Sequence, residues 1–377
     1  MRESGRLSGM KSIYIASLAA SALALSACSF SDAEAEEDGA PKQAASAENS
    51  STDEKIGENF NDKEGYDDEQ EASKPEATSK DGKLSVSLPE GVTQKMLGER
   101  TTQKIALQVM LDQSRHSPGV IDGLGGGNTD RAVRYYRMAN DMGDSTKVDD
   151  ELMNALYSDV GGDIFRTYTI TQKDVSRPFE QTPDGFEAMS KVDKLGYQTP
   201  LEMLAERFHM DQDFLAALNP DADFGKAGTK LTIVSHGNRS FDSKIARIEV
   251  RKGEATVVGL DDAGKVLVSY PATIGSSRFP SPSGKMEVSA LAMAPNYTFD
   301  PDSQKWGPDK TFILPPGPNN PVGGTWIDLG KDGYGIHGSP DPQLIAKTAS
   351  HGCVRLTNWD VAELANAVNT GIPVEFV

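Results

Sequence analysis

The sequence predicts a multidomain protein. A mainly β C-terminal domain spanning residues 244–377 follows two small helix-bearing modules and an acidic leader. Three observations carry this reading. Residues 31–80 hold 16 Asp/Glu and 5 Lys with no Arg, so −11 of the net −18 sits there. Apolar residues at helical spacing recur between about residues 103 and 236. From Lys244 onward the pattern changes to alternation, broken by dense Gly and Pro.

The whole composition agrees. A chain of 377 residues has room for two or three domains. A 37% hydrophobic content and a mean hydropathy of −0.46 are polar for a globular protein, so part of the chain should be unstructured. A net charge of −18 and a pI near 4.7 argue against nucleic acid as the partner, since phosphate neutralisation needs a basic surface.

Residues 1–28 read as an export signal. Arg2, Arg6 and Lys11 precede a mostly apolar run, residues 13–25, too short to span a bilayer. The run ends in Leu25-Ser26-Ala27-Cys28, which resembles a bacterial lipobox. The resemblance implies lipidation of Cys28, a membrane anchor and a periplasmic lipoprotein. Ser29, where Asp would favour inner-membrane retention, points to the outer membrane. Cleavage after Ala27 as an ordinary signal is the alternative. Met10-Lys11 would make a compact start, so the start at Met1 or Met10 stays open.

Residues 29–100 lack aliphatic periodicity and read as a disordered acidic tether. Residues 101–160 form the first module. QKIALQVML predicts a short buried helix, the Gly/Asp cluster at 117–127 a turn, and Asn128 or Thr129 the cap of a second helix bearing Ala132, Val133 and Tyr136. Leu107, Leu111, Gly119, Asp122, Gly123, Leu124, Gly125, Thr129, Ala132, Val133 and Tyr136 resemble the peptidoglycan-binding domain 1 family, a three-helix module. An unrelated helical hairpin is the alternative. Residues 161–193 read as a connector, with Pro178 and Pro183.

Residues 194–236 form the second module. Thr199-Pro200-Leu201-Glu202 is a capping box with Pro at the first helical position. Asp211 caps a second helix carrying Phe214, Leu215 and Leu218, and GTKLTIV at 228–234 closes with a strand. Helix, helix, strand resembles the LysM fold in degenerate form, without a clear first strand. Sugar binding and a purely structural role both stay open.

In the C-terminal domain IARIEV alternates, ATVVGL and KVLVSYPATIG are strand-like, and Asp261 to Gly264 is a turn. Short strands between turn signals imply a β-sandwich or barrel. Residues 358–369 predict a helix and residues 372–377 a last strand.

The chemistry concentrates in the heptapeptide SHGCVRL, residues 350–356. With Cys28 lipidated, Cys353 is an unpaired thiol in an oxidising compartment, a liability unless it is buried or useful. A thiol attacks a carbonyl only as thiolate, which needs a base or a positive field. Two histidines are at hand, His351 in the heptapeptide and His337 in YGIHG. Gly352 allows the turn that points adjacent N–H groups at an oxyanion. Arg355 offers a permanent cation for a substrate carboxylate. A buried inert cysteine is the competing reading.

IHG followed by SHGCVRL resembles the signature of the L,D-transpeptidase catalytic domain, also called YkuD, over residues 245–377, with Pro280 to Gly284 as a further shared turn. The resemblance implies a YkuD-type β-sandwich. It implies Cys353 as nucleophile and His337 as base and later acid. Gly352 and Cys353 backbone N–H groups would form the oxyanion site. Ser350 and His351 would shape the loop, with His351 assisting the base. Arg355 would position substrate, and Gly338, Tyr334 and Trp326 would line the groove. The implied reaction releases D-Ala from peptidoglycan tetrapeptide stems through a thioester. The acceptor amine comes from another stem, giving 3-3 cross-links, or from a lysine of a cell-wall lipoprotein. Carbapenem β-lactams are the implied inhibitors.

No metal and no organic cofactor are expected. His116, His209 and His236 lie in separate segments without metal-ligand spacing. Two rivals remain. One is an L,D-carboxypeptidase or hydrolase with the same residues, and the other a non-catalytic wall-binding lipoprotein. A papain-like protease does not fit, because here the histidine precedes the cysteine and the thiol lies in a β context.

Overall fold

The computed structural model describes residues 77–237, 244–275, 280–302, 304, 307–331, 333–350 and 352–377. The export signal, Cys28, residues 29–76 of the tether and His351 lie outside the described residues.

The chain first forms a hairpin, β1 (Ala77–Lys80) with β2 (Lys83–Val86). Asp81 and Gly82 turn it with φ of 53° and 74°, as a two-residue I′ turn requires. Helices α1 (Gln94–Leu97), α2 (Thr102–Gln113), α3 (Gly127–Ala139) and α4 (Asp150–Val160) follow. Next come β3 (Phe165–Thr169), α5 (Gln172–Val175), α6 (Phe186–Met189), α7 (Pro200–Arg207), α8 (Gln212–Leu218) and β4 (Lys230–Val234).

Several expectations are corrected here. The tether does not run to residue 100, because Ala77, Leu84, Val92 and Leu97 are buried in the same core as α2 and α4. Residues 161–193 are not a bare connector: Phe165 and Tyr168 of β3 enter that core, and β3 pairs antiparallel with β4. The first strand that the second module lacked in sequence therefore lies about 30 residues upstream of its helices, before a long insertion. The two modules also share one apolar core, which runs from Ala77 to Val234. Helix α3 starts at Gly127 with Gly126 as cap, ahead of the Asn128 or Thr129 expected. Caps Thr199 and Asp211 accept from the Glu202 and Phe214 N–H groups.

The C-terminal half comprises β5 (Arg247–Arg251), β6 (Thr256–Leu260), β7 (Val266–Pro271), β8 (Gly284–Glu287), β9 (Ala290–Met293), β10 (Tyr297–Phe299), β11 (Phe312–Leu314), β12 (Thr325–Asp328), β13 (Gly335–His337) and β14 (Val354–Arg355). Helix α9 (Asn358–Ala367) and β15 (Pro373–Phe376) complete it. One sheet has the order β7-β6-β5-β15-β8 and the second β14-β13-β12-β9, while β10 and β11 form a separate hairpin. Ile248, Val250 and Val268 of the first sheet meet Ile327, Ile336 and Val354 of the second in one core, closed by Val361 and Leu364 of α9. This is the mainly β domain the alternation predicts.

The two halves pack directly on each other. Tyr135 and Ala139 of α3 bury Val258, Leu260 and Val266. Backbone bonds run from Ser117 N to Ser269 O at 2.9 Å and from Ser269 N to Arg115 O at 3.0 Å.

Candidate active site

Strand pairing assembles the site. The parallel register of β13 and β14 sets His337 beside Arg355, and antiparallel β12 sets Trp326 beside His337. Side chains alternate across a strand, so Ile327, Ile336 and Val354 enter the core while Trp326, His337 and Arg355 share the opposite face. Cys353 lies in the bend just before β14, two residues ahead of Arg355. Its thiol feels the Arg355 cation.

His337 is 3% exposed, and its ring stacks on Trp326 at 5.4 Å and 17°. Its Nδ1 meets the Gly338 carbonyl at 2.7 Å. A carbonyl only accepts, so Nδ1 carries the proton, and the Val322 backbone also bonds the ring. Burial, then the Arg355 cation, push His337 down to about 3. The imidazole is therefore neutral.

Cys353 is free and half-buried. Its Sγ donates to the Gly333 carbonyl at 3.2 Å. Burial pushes the thiol up to about 11, opposed by the Gly335 N–H and by Arg355. The resting pair is thus thiol and imidazole rather than thiolate and imidazolium.

The loop before β14 is tightly held. Gly352 has φ +119°, in the region that favours glycine. Its carbonyl accepts from Ser281 Oγ at 2.7 Å, and Ser281 Oγ accepts from Gly275 N at 2.9 Å. Ser350 Oγ bonds the Cys353 carbonyl. The expectation that the Gly352 N–H faces an oxyanion is corrected: that N–H donates to Ser350 Oγ at 3.2 Å. Among the described residues the Cys353 N–H has no hydrogen-bond partner, which leaves it for that purpose.

Arg355 has a buried Nε without a hydrogen-bond partner, and no ion pair holds it among the described residues. It lines a cleft of about 370 Å³ with Asn319, Ser339 and Asp341. Thr182, Met189 and Gln198 of the former connector supply another wall. Tyr334 sits beside Gly352, its Cε1 3.5 Å from where a Cβ on that glycine would lie. Gly338 is a support rather than a lining group. A Cβ there would fall 2.1 Å from Asn358 Oδ1, and its carbonyl orients His337.

Three residues escaped the sequence reading. Ser281 lies in the Pro280 to Gly284 turn, where the pattern gave the turn but not the role of the hydroxyl. Tyr297 feels the Cys353 charge and bonds Gln304 Oε1 at 3.1 Å. Asn358 accepts from Gly324 N at 3.1 Å and donates to Glu206 Oε1 at 3.0 Å, across the two halves. Nothing local in the sequence marks Tyr297 or Asn358.

Away from the cleft, His209 and His236 are not isolated as their spacing suggested. With Asp112 they form a group whose ligand-capable atoms all lie within 4.8 Å of one another. The 97 residues between Asp112 and His209 hid this pairing.

Comparison with known proteins agrees with the mainly β C-terminal domain. Residues 245–376 match the family model of the YkuD L,D-transpeptidase catalytic domain. The putative L,D-transpeptidase YkuD of Bacillus licheniformis is 29% identical over 174 residues, covering 46% of this chain and 91% of that protein. The putative L,D-transpeptidase YqjB of Bacillus subtilis is 31% identical over 132 residues, 34% of this chain and 67% of that protein. The probable L,D-transpeptidase YbiS of Escherichia coli is 27% identical over 189 residues, 48% of this chain and 61% of that protein. The chain belongs to the L,D-transpeptidase family through this C-terminal domain.

Proposed function

We propose that Cys353 is the nucleophile of a peptidoglycan L,D-transpeptidase. The observation that supports it best is the strand register that sets a neutral His337 beside an unpaired Arg355, with the Cys353 thiol two residues before that arginine and feeling its charge. Substrate enters the cleft with a carboxylate on Arg355. The thiol proton passes to His337 as sulfur bonds the carbonyl of the third stem residue. The Cys353 N–H receives the oxyanion. Collapse breaks the bond to D-Ala, whose amine takes the proton from His337, and a thioester remains. An acceptor amine attacks that thioester and gives its proton to His337. The new amide leaves and the thiol is restored. Neither step needs a metal.

A carbapenem carbonyl would acylate the same sulfur. The purified full chain should gain the mass of one carbapenem, and Cys353→Ala should gain none. An unmodified wild type under saturating drug contradicts the reading. Muropeptide products with and without an acceptor amine distinguish 3-3 cross-linking, lipoprotein attachment and hydrolysis. We also propose that Cys28 carries the lipid that anchors the protein at the outer membrane. Labelled palmitate should enter the wild type and not Cys28→Ser.

A further inference from the structure

We propose that Asp112, His209 and His236 form a zinc site beside α9. The three residues come from separate segments: the end of α2, the turn after α7 and the end of β4. His209 Nδ1 lies 3.1 Å from Asp112 Oδ1 and 3.0 Å from Oδ2. Nitrogen and oxygen ligands at about 2.0–2.1 Å from zinc in a tetrahedron lie about 3.3 Å apart. All three residues offer a donor within 4.8 Å of the others, so small side-chain movements complete the geometry.

The surroundings already orient the donors as metal sites do. His236 Nδ1 meets the Gly237 carbonyl at 3.0 Å, which leaves Nε2 for an ion. Gly237 N donates to Asp112 Oδ2 at 2.7 Å. Trp359 of α9 stacks on His209 at 5.0 Å and 10°, fixing the ring. With a water in the fourth position, Asp360, next along α9, stays outside the group of mutually close donors. It is 3% exposed, its Oδ2 has no hydrogen-bond partner, and its charge reaches both Asp112 and His209. Two imidazoles with one carboxylate suit zinc rather than calcium or magnesium, which take oxygen donors. The competing account is a plain Asp112–His209 ion pair.

The test uses the full chain without a histidine tag, carrying Cys28→Ser and Cys353→Ala so that no thiol binds the ion. After chelator treatment and dialysis, calorimetry should find one zinc per chain with Kd below about 10 µM. Adding His236→Ala or Asp112→Asn should weaken binding by at least about 100-fold with an unchanged circular dichroism spectrum. Cobalt(II) in the parent should give the intense visible bands of tetrahedral coordination. Absence of stoichiometric zinc, equal affinity in the variants, or only the weak spectrum of hydrated cobalt overturns the site. If the variants misfold, the cobalt spectrum of the parent alone decides.

Discussion

At the residue scale the proposed chemistry rests on two neutral groups. With His337 pushed down to about 3 and Cys353 up to about 11, the competent form, imidazole plus thiol, persists between those limits. Acylation of the free enzyme by a carbapenem should therefore be flat from about pH 5 to 9. A rising limb near the ordinary histidine value would show that His337 titrates normally. Gly338→Ala places a methyl against Asn358 Oδ1, in a cavity with no room for it. We expect a loss of about 1–3 kcal/mol in urea unfolding and strongly slowed acylation. Unchanged values would mean Asn358 yields freely. Cys353 and His337 were singled out in the sequence through the resemblance of IHG and SHGCVRL to a family signature. The direction of the Gly352 N–H was not legible there, because it depends on the rotamer of Ser350.

At the element scale the catalytic loop is a short strand with a pinned approach. Ser281 ties Gly352 to Gly275, joining the loop to the end of the strand region after β7. Ser281→Ala leaves a buried carbonyl and N–H without their partner, at a cost of about 1–3 kcal/mol. Acylation should slow while Cys353 stays titratable by a small disulfide reagent. A wild-type acylation rate would remove Ser281 from the positioning of the loop. The β alternation, the final helix and the caps Thr199 and Asp211 could be read locally, since each depends on neighbours in sequence. Strand β3 could not be recognised with the same ease. Its partner β4 lies some 65 residues away, and FRTYT alone resembles any polar connector.

At the scale of the whole molecule the halves are interdependent. Residues 244–377 expressed alone would expose Val258, Leu260 and Val266, now covered by α3. Such a fragment should bind a hydrophobic dye and melt below the full chain, whereas equal melting would show an independent domain. His116 also bridges the halves through Ser269 Oγ at 3.0 Å. Burial and Arg115 push its pKa down to about 3, below its value when unfolded. Its contribution is complete above the unfolded value and is lost as the pH falls toward 3, because the unfolded chain binds the proton more readily. His116→Gln should accordingly shrink the drop in melting temperature between pH 7 and pH 4. An equal drop would place acid sensitivity elsewhere. Composition announced several modules, but their shared core could not be anticipated, since apolar periodicity shows that a face is buried and not against what.

The central claim is that Cys353 carries the acyl group. Rapid acid quenching of the full chain with tetrapeptide stems, followed by intact mass and peptide mapping, tests it directly. The account predicts a thioester on Cys353 of stem mass less D-Ala, absent in Cys353→Ala. D-Ala release without that adduct, or its persistence in Cys353→Ala, would contradict it.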